Sequence, residues 1–190
     1  MRTRRRSAAE RSAAVFDALR ALLLEHPWGE VTLEAVARDA GVSRQTLYNA
    51  FGSRYGLAQA YTLALADLLC DAIAATLTAH PGDRRTGVEQ GLALYLETAA
   101  ADPLIMRVRA GDAHPDLVRI VTADAGPLLV RVAERLEDAA VTAWPDLDRG
   151  RARTFARALA RIAVSYVTMP PEYDDSPAAL ASGLSELLTP

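Results

Sequence analysis

The chain has 190 residues, of which 51% are hydrophobic and 24% are charged; this is ordinary for a folded domain and excludes disordered and fibrous proteins. No stretch reaches the roughly 18 to 20 uninterrupted apolar residues of a membrane span, and no apolar signal segment follows the arginine-rich start. The single cysteine, Cys70, cannot form an internal disulfide, which agrees with a reducing compartment. We therefore expect a cytoplasmic protein that has no membrane partner.

The net charge of -3 is distributed unevenly along the chain. Residues 1–55 hold nine Arg against six Asp and Glu, whereas residues 56–190 hold twelve Arg against eighteen acidic residues. Five of the arginines fall in the first eleven residues. Such basic arms often follow DNA phosphates or enter a minor groove, although a solubilising tail has the same composition.

Apolar residues recur at spacings of three and four almost throughout the chain, and no alternating run is long enough for a strand. The predicted fold is therefore all-α. The first helix is predicted over about 7–25, and two short helices follow over 33–40 and 44–50. Thr32 and Ser43 are the predicted N-caps of the short helices.

From Ser53 onward the predicted helices become longer. The first covers 54–79 and should measure about 40 Å, and a capping box of Thr86 and Glu89 is predicted to start the next one, which reaches about residue 101. The remaining helices are predicted from 103, over 115–123, 126–143, 148–169 and 176–188. The ten helices divide into a three-helix domain over 1–52 and a larger helical domain over 53–190.

The two short helices and the glycine turn between them form a helix-turn-helix pattern. In this motif the first helix supports the second, whose exposed face enters the DNA major groove, about 12 Å wide. The residues predicted to be exposed on the second helix are Arg44, Gln45, Thr46, Tyr48 and Asn49. Arg suits guanine, Gln and Asn suit adenine, Thr suits a base or the thymine methyl group, and the tyrosine hydroxyl suits a phosphate.

The segment VTLEAVARDAGVSRQTLYNAFGSRYGL, residues 31–57, resembles the DNA-binding signature of the TetR family of transcriptional regulators. The resemblance includes the AGVS turn, the Leu47-Tyr48 pair and Phe51. It implies that the base contacts come from Arg44, Gln45, Thr46 and Asn49, and the phosphate contacts from Thr32, Tyr48 and Arg54. The family often has Lys in place of Arg54 and a small residue in place of Gln45, and the second difference points to a different operator.

The resemblance also implies a homodimer with a ligand pocket inside the helices of about 53–125 and the ninth helix. We expect an apolar pocket for a lipophilic effector. Its candidate residues, for which core packing is the alternative, are Tyr61, Leu65, Tyr95, Met106 and Tyr166. The dimer is predicted to form through 127–142 and 149–169, with candidate contacts at Leu128, Val132, Leu136, Ile162 and Tyr166.

The predicted function is that of a DNA-binding transcriptional regulator, interpreted as a repressor that the effector releases from a palindromic operator. An enzyme is disfavoured because the sequence has no G-x-S-x-G, H-E-x-x-H, G-K-[ST] or paired C-x-x-C motif. The histidines and the cysteine are scattered, so no metal site and no cofactor are expected. A helical adaptor that binds another protein is the remaining alternative, and loss of DNA binding would favour it.

Overall fold

The structure is a computed structural model that describes residues 7–110, 114–169 and 176–188. These ranges contain no β-strand, which confirms the all-α prediction. They hold a short 3-10 helix at Trp28–Glu30 and ten α-helices: α1 Ala8–Glu25, α2 Leu33–Ala40, α3 Arg44–Phe51, α4 Arg54–Ala79, α5 Arg84–Ala100, α6 Pro103–Arg109, α7 Pro115–Val121, α8 Gly126–Ala143, α9 Arg149–Thr168 and α10 Pro177–Leu188.

The short helices α2 and α3 begin at the two predicted caps. The Thr32 hydroxyl accepts a hydrogen bond from the Ala35 N–H at 3.1 Å, and the Ser43 hydroxyl accepts one from the Thr46 N–H at 3.0 Å. Each bond satisfies one of the N–H groups that have no partner inside the first helical turn. The local sequence therefore determines where both helices start.

Helix α5 begins earlier than its predicted capping box. The side chain of Asp83 accepts a hydrogen bond from the Thr86 N–H at 3.0 Å, so the helix begins at Arg84. The predicted cap at Thr86 with Glu89 is therefore wrong. An aspartate three residues upstream supplies the same oxygen acceptor and lengthens the helix.

The first apolar core joins the three N-terminal helices to the larger domain. Its buried members include Leu19 and Leu23 of α1, Trp28, Val36 of α2, Leu47 of α3, Leu57 of α4, Leu104 of α6, and Leu117 and Ile120 of α7. Helix α1 packs against both α2 and α6, and α4 packs against both α3 and α7, so α6 and α7 reach the helix-turn-helix through α1 and α4. The packing does not end at the domain boundary predicted at residue 52.

The second core lies between α4, α5, α8, α9 and α10. Helix α4 packs against α5 and α8, α8 packs against α9, and α10 packs against α5. Within the described ranges α4 is the one helix whose length and hydropathy would also suit a membrane span, with a mean hydropathy of 1.5 in its most apolar window. Its apolar residues contribute to both cores and to the internal cavity described below.

Candidate nucleic-acid interface and ligand cavity

A glycine turn sets the angle between α2 and α3. Gly41 has φ +67°, a left-handed conformation that residues with a Cβ adopt at a cost. Immediately after it, the Val42 N–H donates to the Ala37 carbonyl at 3.0 Å and closes the end of α2. Ala37, Ala40 and Leu47 are buried between the helices. Leu47 is the one fully buried residue of α3, and Phe51 is half-buried against Phe16. The side chains of residues 44–46 and 48–50 lie toward solvent.

The polar residues predicted to be exposed on α3 are all exposed. The Gln45 amide donates to the Asn49 side-chain oxygen at 2.7 Å, so the two amides form one pair along the helix. The Thr46 and Ser43 hydroxyls lie 2.8 Å apart, and Arg44 forms an ion pair with Glu34 at 3.6 Å. The α3 surface therefore presents amide and guanidinium groups of the kinds that bind base edges.

Arg54 has a different set of partners from the phosphates that the resemblance implied. Its Nη1 atom donates to the carbonyl oxygens of Trp28, Gly29 and Val31 at 3.2, 3.1 and 3.2 Å. Its guanidinium lies 5.1 Å from the centre of the Trp28 ring, and Nη2 lies 3.6 Å from the Asp116 carboxylate. The side chain is 27% exposed. In this structure Arg54 therefore holds the 28–31 segment to α4 and α7, and the phosphate contact that the resemblance implied stays a prediction.

A small cavity of about 100 Å³ lies between α4, α5, α6, α7, α8 and α9. None of the described residues that line it is charged. The hydroxyls of Thr62 and Tyr95 in its wall already donate to backbone carbonyls, at 2.9 and 2.8 Å. Burial raises the pKa of the Cys70 thiol in the wall to about 11, so this thiol is neutral at pH 7. The cavity suits an apolar ligand.

The cavity contains two of the five residues predicted to bind the ligand. Leu65 and Tyr95 line it, whereas Tyr61, Met106 and Tyr166 do not. Tyr61 lies in the first core, and Met106 is 50% exposed. Tyr166 is half-buried on α9 and is not among the residues that line the cavity. The periodicity predicted the helices, but it does not show whether an apolar or aromatic residue on a helix lies against the cavity, in a core or toward solvent.

Helix α6 contributes to the cavity wall and also binds α1. Leu104, Ile105 and Val108 line the cavity. The guanidinium of Arg107 on the same helix donates to the last carbonyls of α1, reaching Leu23 at 2.8 Å and Leu24 at 3.2 Å. A shift of α6 would therefore change the cavity and move the helix that supports α2.

The buried carboxylate of Asp102 joins three helices at the start of α6. It accepts hydrogen bonds from the Tyr61 hydroxyl of α4 at 2.5 Å, from Arg20 of α1 at 3.2 Å and from the Leu104 N–H at 2.9 Å. Burial, together with the bond to this carboxylate, raises the pKa of Tyr61 well above its usual value. The sequence predicts only that a helix begins at 103, next to Asp102, because the two distant partners of Asp102 have no local signature.

Helix α7 makes a comparable connection to the start of α4. Leu117, Ile120 and Val121 line the cavity. Beyond the end of the same helix, the carboxylate of Asp124 accepts a hydrogen bond from the Tyr55 hydroxyl of α4. The two short helices α6 and α7 therefore lie between the cavity and the DNA-binding helices.

Two family models match the chain. The model for bacterial regulatory proteins of the tetR family covers residues 15–61, and the model for the bacterial tetracyclin repressor C-terminal domain covers residues 83–190, more than half of the chain. The chain belongs to the TetR family of transcriptional regulators. The recognition made from residues 31–57 is confirmed, and the TetR relatives are regulators rather than enzymes.

Three similar proteins each match more than nine tenths of this chain. The HTH-type transcriptional regulator AlkX of Mycobacterium tuberculosis (strain ATCC 25618 / H37Rv) is 44% identical over 177 residues, 93% of this chain and 82% of that protein. The crystal structure of the TetR family repressor AlkX from Dietzia sp. strain DQ12-45-1b, implicated in biodegradation of n-alkanes, has a TM-score of 0.83 at 41% identity and covers 93% of this chain and 94% of that one. The fatty acid degradation regulator FadR from Bacillus halodurans has a TM-score of 0.54 at 16% identity, and the match covers 97% of this chain and 96% of that one. At this identity the match shows the shared fold alone.

TetR-family regulators act as dimers, and here the structure corrects the predicted contacts on α8. Leu128, Val132 and Leu136 line the cavity of their own subunit, so they face away from any second subunit. Ile162 and Tyr166 of α9 are half-buried. The outer face of α8 instead carries Val130, which is 57% exposed, next to charged residues.

Proposed function

We propose that this TetR-family regulator is a dimeric repressor that leaves a palindromic operator when a small lipophilic molecule occupies the internal cavity. The observation that carries the proposal is the pair of helices α6 and α7. One face of each lines the uncharged cavity, while other residues of the same segments bind α1 and α4. A molecule in the cavity would therefore act directly on the supports of the DNA-binding helices.

The proposed DNA contacts lie on α3 and at the start of α2. Arg44, Gln45, Thr46 and Asn49 would face bases, and the Thr32 and Tyr48 hydroxyls would bind phosphates. The Thr32 hydroxyl oxygen already accepts the Ala35 N–H, so its hydrogen can be donated to a phosphate oxygen. In a two-fold dimer the half-sites would lie about 34–36 Å apart, one helical turn of DNA, or a multiple of it.

The proposed effector has an unbranched aliphatic chain. The cavity is small and its wall is uncharged, so a charged group placed inside it would lose its hydration without gaining a partner. The Dietzia repressor, 41% identical, is implicated in biodegradation of n-alkanes. For this chain we propose an n-alkane or a product with the same chain, whose aliphatic part lies in the cavity.

The proposed switch changes the separation of the two DNA-binding domains. Operator DNA fixes that separation, so an effector that favours another position of α6, α7 and α4 weakens DNA binding without touching DNA. Coupling between two such sites is typically about 1–3 kcal/mol, or roughly 5- to 150-fold in affinity. Because its ligand is chromosomal DNA, the proposed location is the cytoplasm.

The test begins with the DNA itself. Genomic fragments retained by the purified protein are sequenced, and the recovered site is used in fluorescence anisotropy. We expect the recovered site to be a near-palindrome. A thermal-shift screen of n-alkyl compounds of increasing chain length identifies one that binds the protein, and adding this compound should lower the affinity of the protein for the recovered site. Linkage requires operator DNA to weaken effector binding by the same factor.

A matched pair of variants on α4 controls for nonspecific effects of the lipid. Ala66 lines the cavity, whereas Ala75 is exposed on the same helix. Ala66→Leu should weaken effector binding while Ala75→Leu leaves it unchanged. Effector affinity that saturating operator does not alter would rule out the switch, and a protein that retains no DNA would favour the adaptor alternative.

A further inference from the structure

The few polar side chains in the cavity wall have already used their hydrogens. Among the described lining residues these side chains belong to Thr62, Cys70, Tyr95 and Thr168. Each of the three hydroxyls donates to a backbone carbonyl, at 2.9 Å for Thr62, 2.8 Å for Tyr95 and 2.9 Å for Thr168. A hydroxyl has one hydrogen, so these oxygens have only lone pairs left, and the Cys70 thiol is a weak donor. The described side chains of the wall therefore offer a ligand acceptors and no strong donor.

A wall of this kind distinguishes ligands by the hydrogens on their polar end. An aldehyde, an ester or a carboxylate brings acceptor oxygens alone, which would lose their hydration and find no strong donor in the wall. A hydroxyl group brings its own hydrogen and can donate it to a wall oxygen. Among compounds that share one aliphatic chain and differ in their oxygen-containing end, the wall therefore favours the alcohol.

The Thr62 oxygen is the wall acceptor that suits this hydrogen best. The phenol oxygen of Tyr95 is a poorer acceptor than an aliphatic hydroxyl, because conjugation with the ring draws on its lone pairs. The Thr168 oxygen lies close to two carbonyls, those of Val164 at 2.9 Å and Ser165 at 3.3 Å, which crowd it with other acceptors. Thr62 is hydrogen-bonded to a single carbonyl, so one side of its oxygen is left for a ligand.

We propose that the effector is a primary alcohol with an unbranched chain, whose hydroxyl donates to the Thr62 oxygen while its chain lies along the apolar wall. The inference rests on the lipophilic effector of the proposed function and names the polar end of that effector. Helix α4, which carries Thr62, also carries Tyr61, bonded to the start of α6, and Tyr55, bonded to the residue Asp124 beyond α7. The alcohol therefore binds the helix to which both connecting segments are attached.

The test compares octyl alcohol with octane on isosteric variants of the full-length chain. Thr62→Val keeps the shape of the side chain and removes its oxygen, so the hydroxyl of the alcohol would be buried without a partner. We expect Thr62→Val to weaken the binding of octyl alcohol about tenfold in isothermal titration calorimetry. The rise in Tm that octane-saturated buffer causes should be the same for Thr62→Val and the unsubstituted chain, because octane has no hydrogen to donate.

The matched control is Thr78→Val on the same helix. The Thr78 hydroxyl also donates to the carbonyl four residues earlier, at 2.8 Å, but this residue is exposed and does not line the cavity. Thr78→Val and Thr168→Val should bind octyl alcohol like the unsubstituted chain, and circular dichroism checks that each variant is folded. Unchanged alcohol binding in Thr62→Val, or a tenfold loss in either other variant, would overturn the inference while a lipophilic effector stands. An unsubstituted chain that binds neither compound would overturn the lipophilic effector as well.

Octanoate tests the missing donor in a second way. It has the same chain length, but a carboxyl group with a pKa of about 4.3 carries its hydrogen in only about one molecule in 500 at pH 7. We expect octanoate to bind at least about a hundredfold more weakly than octyl alcohol at pH 7, and its affinity to rise about tenfold for each unit that the pH is lowered toward about 5. Octanoate that binds as tightly as octyl alcohol at pH 7 would show that the site supplies a donor, and would overturn the inference.

Discussion

Replacement of Arg54 by alanine separates a structural role from a phosphate contact. The Nη1 atom carries two hydrogens, so its three carbonyl contacts at 3.1 to 3.2 Å amount to about two hydrogen bonds. Hydrogen bonds that involve a charged group contribute about 1.5–3 kcal/mol each, and partial exposure reduces this. We expect Arg54→Ala to lower the free energy of unfolding by about 2–4 kcal/mol, measured by urea denaturation with an unchanged m-value.

Two further variants make the interpretation specific. Arg44 is 70% exposed and has one ion pair at 3.6 Å, so Arg44→Ala should change stability by no more than about 0.5 kcal/mol while lowering operator affinity. Arg54→Lys keeps the charge but loses the planar fork that reaches the carbonyls, so most of the stability loss should remain. DNA affinity is measured by anisotropy at a temperature where all variants are folded.

The opposite pattern would refute this reasoning. A phosphate contact predicts that Arg54→Ala keeps its stability and binds operator and random DNA equally less well, with a smaller dependence of affinity on salt. It also predicts that Arg54→Lys restores DNA binding, since lysine is common at this position in the family that the sequence resembles. That result would assign Arg54 to the phosphate contacts and would show that its hydrogen bonds to the carbonyls add little to the free energy of unfolding.

Three other predictions follow from single contacts. Gln45→Ala and Asn49→Ala should each cost about 1–3 kcal/mol on operator DNA and relax the preference at particular bases; equal losses on random DNA would contradict base contacts. Tyr61→Phe should lower the free energy of unfolding by about 1.5–3 kcal/mol, because it removes a donor to a buried carboxylate, and Tyr95→Phe, which removes a bond to a neutral carbonyl, should cost only about 1 kcal/mol in the same denaturation assay. The Cys70 thiol, with its raised pKa, should react with a maleimide at pH 7.5 at least about a hundredfold more slowly in the folded protein than in urea.

The sequence was sufficient where one residue determines one backbone position. Thr32 and Ser43 cap α2 and α3, Gly41 takes the left-handed turn, and the exposed face of α3 follows from Leu47 being buried. These signals are local, since capping and turn formation involve residues within four positions of each other. For that reason the helix-turn-helix could be predicted in detail.

The predictions that failed concern side chains that suit either of two environments. Leu128, Val132 and Leu136 form an apolar stripe on α8, which fits a subunit interface as well as an interior wall; in the structure they face the cavity. The spacing of a stripe shows that a helix face is buried but not what covers it. Arg54 shows the same ambiguity for a charged residue, because its long side chain reaches inward from the start of α4, and its phosphate contact stays a prediction.

The volume of the cavity sets the scale of the proposed switch. At about 24 cal/mol per Å³, an empty cavity of about 100 Å³ costs about 2 kcal/mol, which a ligand that fills it can recover. If the filled cavity fits only one arrangement of α6 and α7, one ligand shifts the equilibrium between the two arrangements by roughly 30-fold. This lies within the usual range of coupling between sites. To change the ratio of the two arrangements from 1:99 to 99:1 needs about 5.5 kcal/mol, so one filled cavity weakens repression without ending it.

In a symmetric dimer both cavities contribute, and two ligands supply about 4 kcal/mol. Release of operator DNA should therefore be steeper than a one-site curve, with a Hill coefficient between 1 and about 2 in an effector titration. A hyperbolic curve with complete release by a single ligand per dimer would show that contacts beyond cavity filling drive the switch.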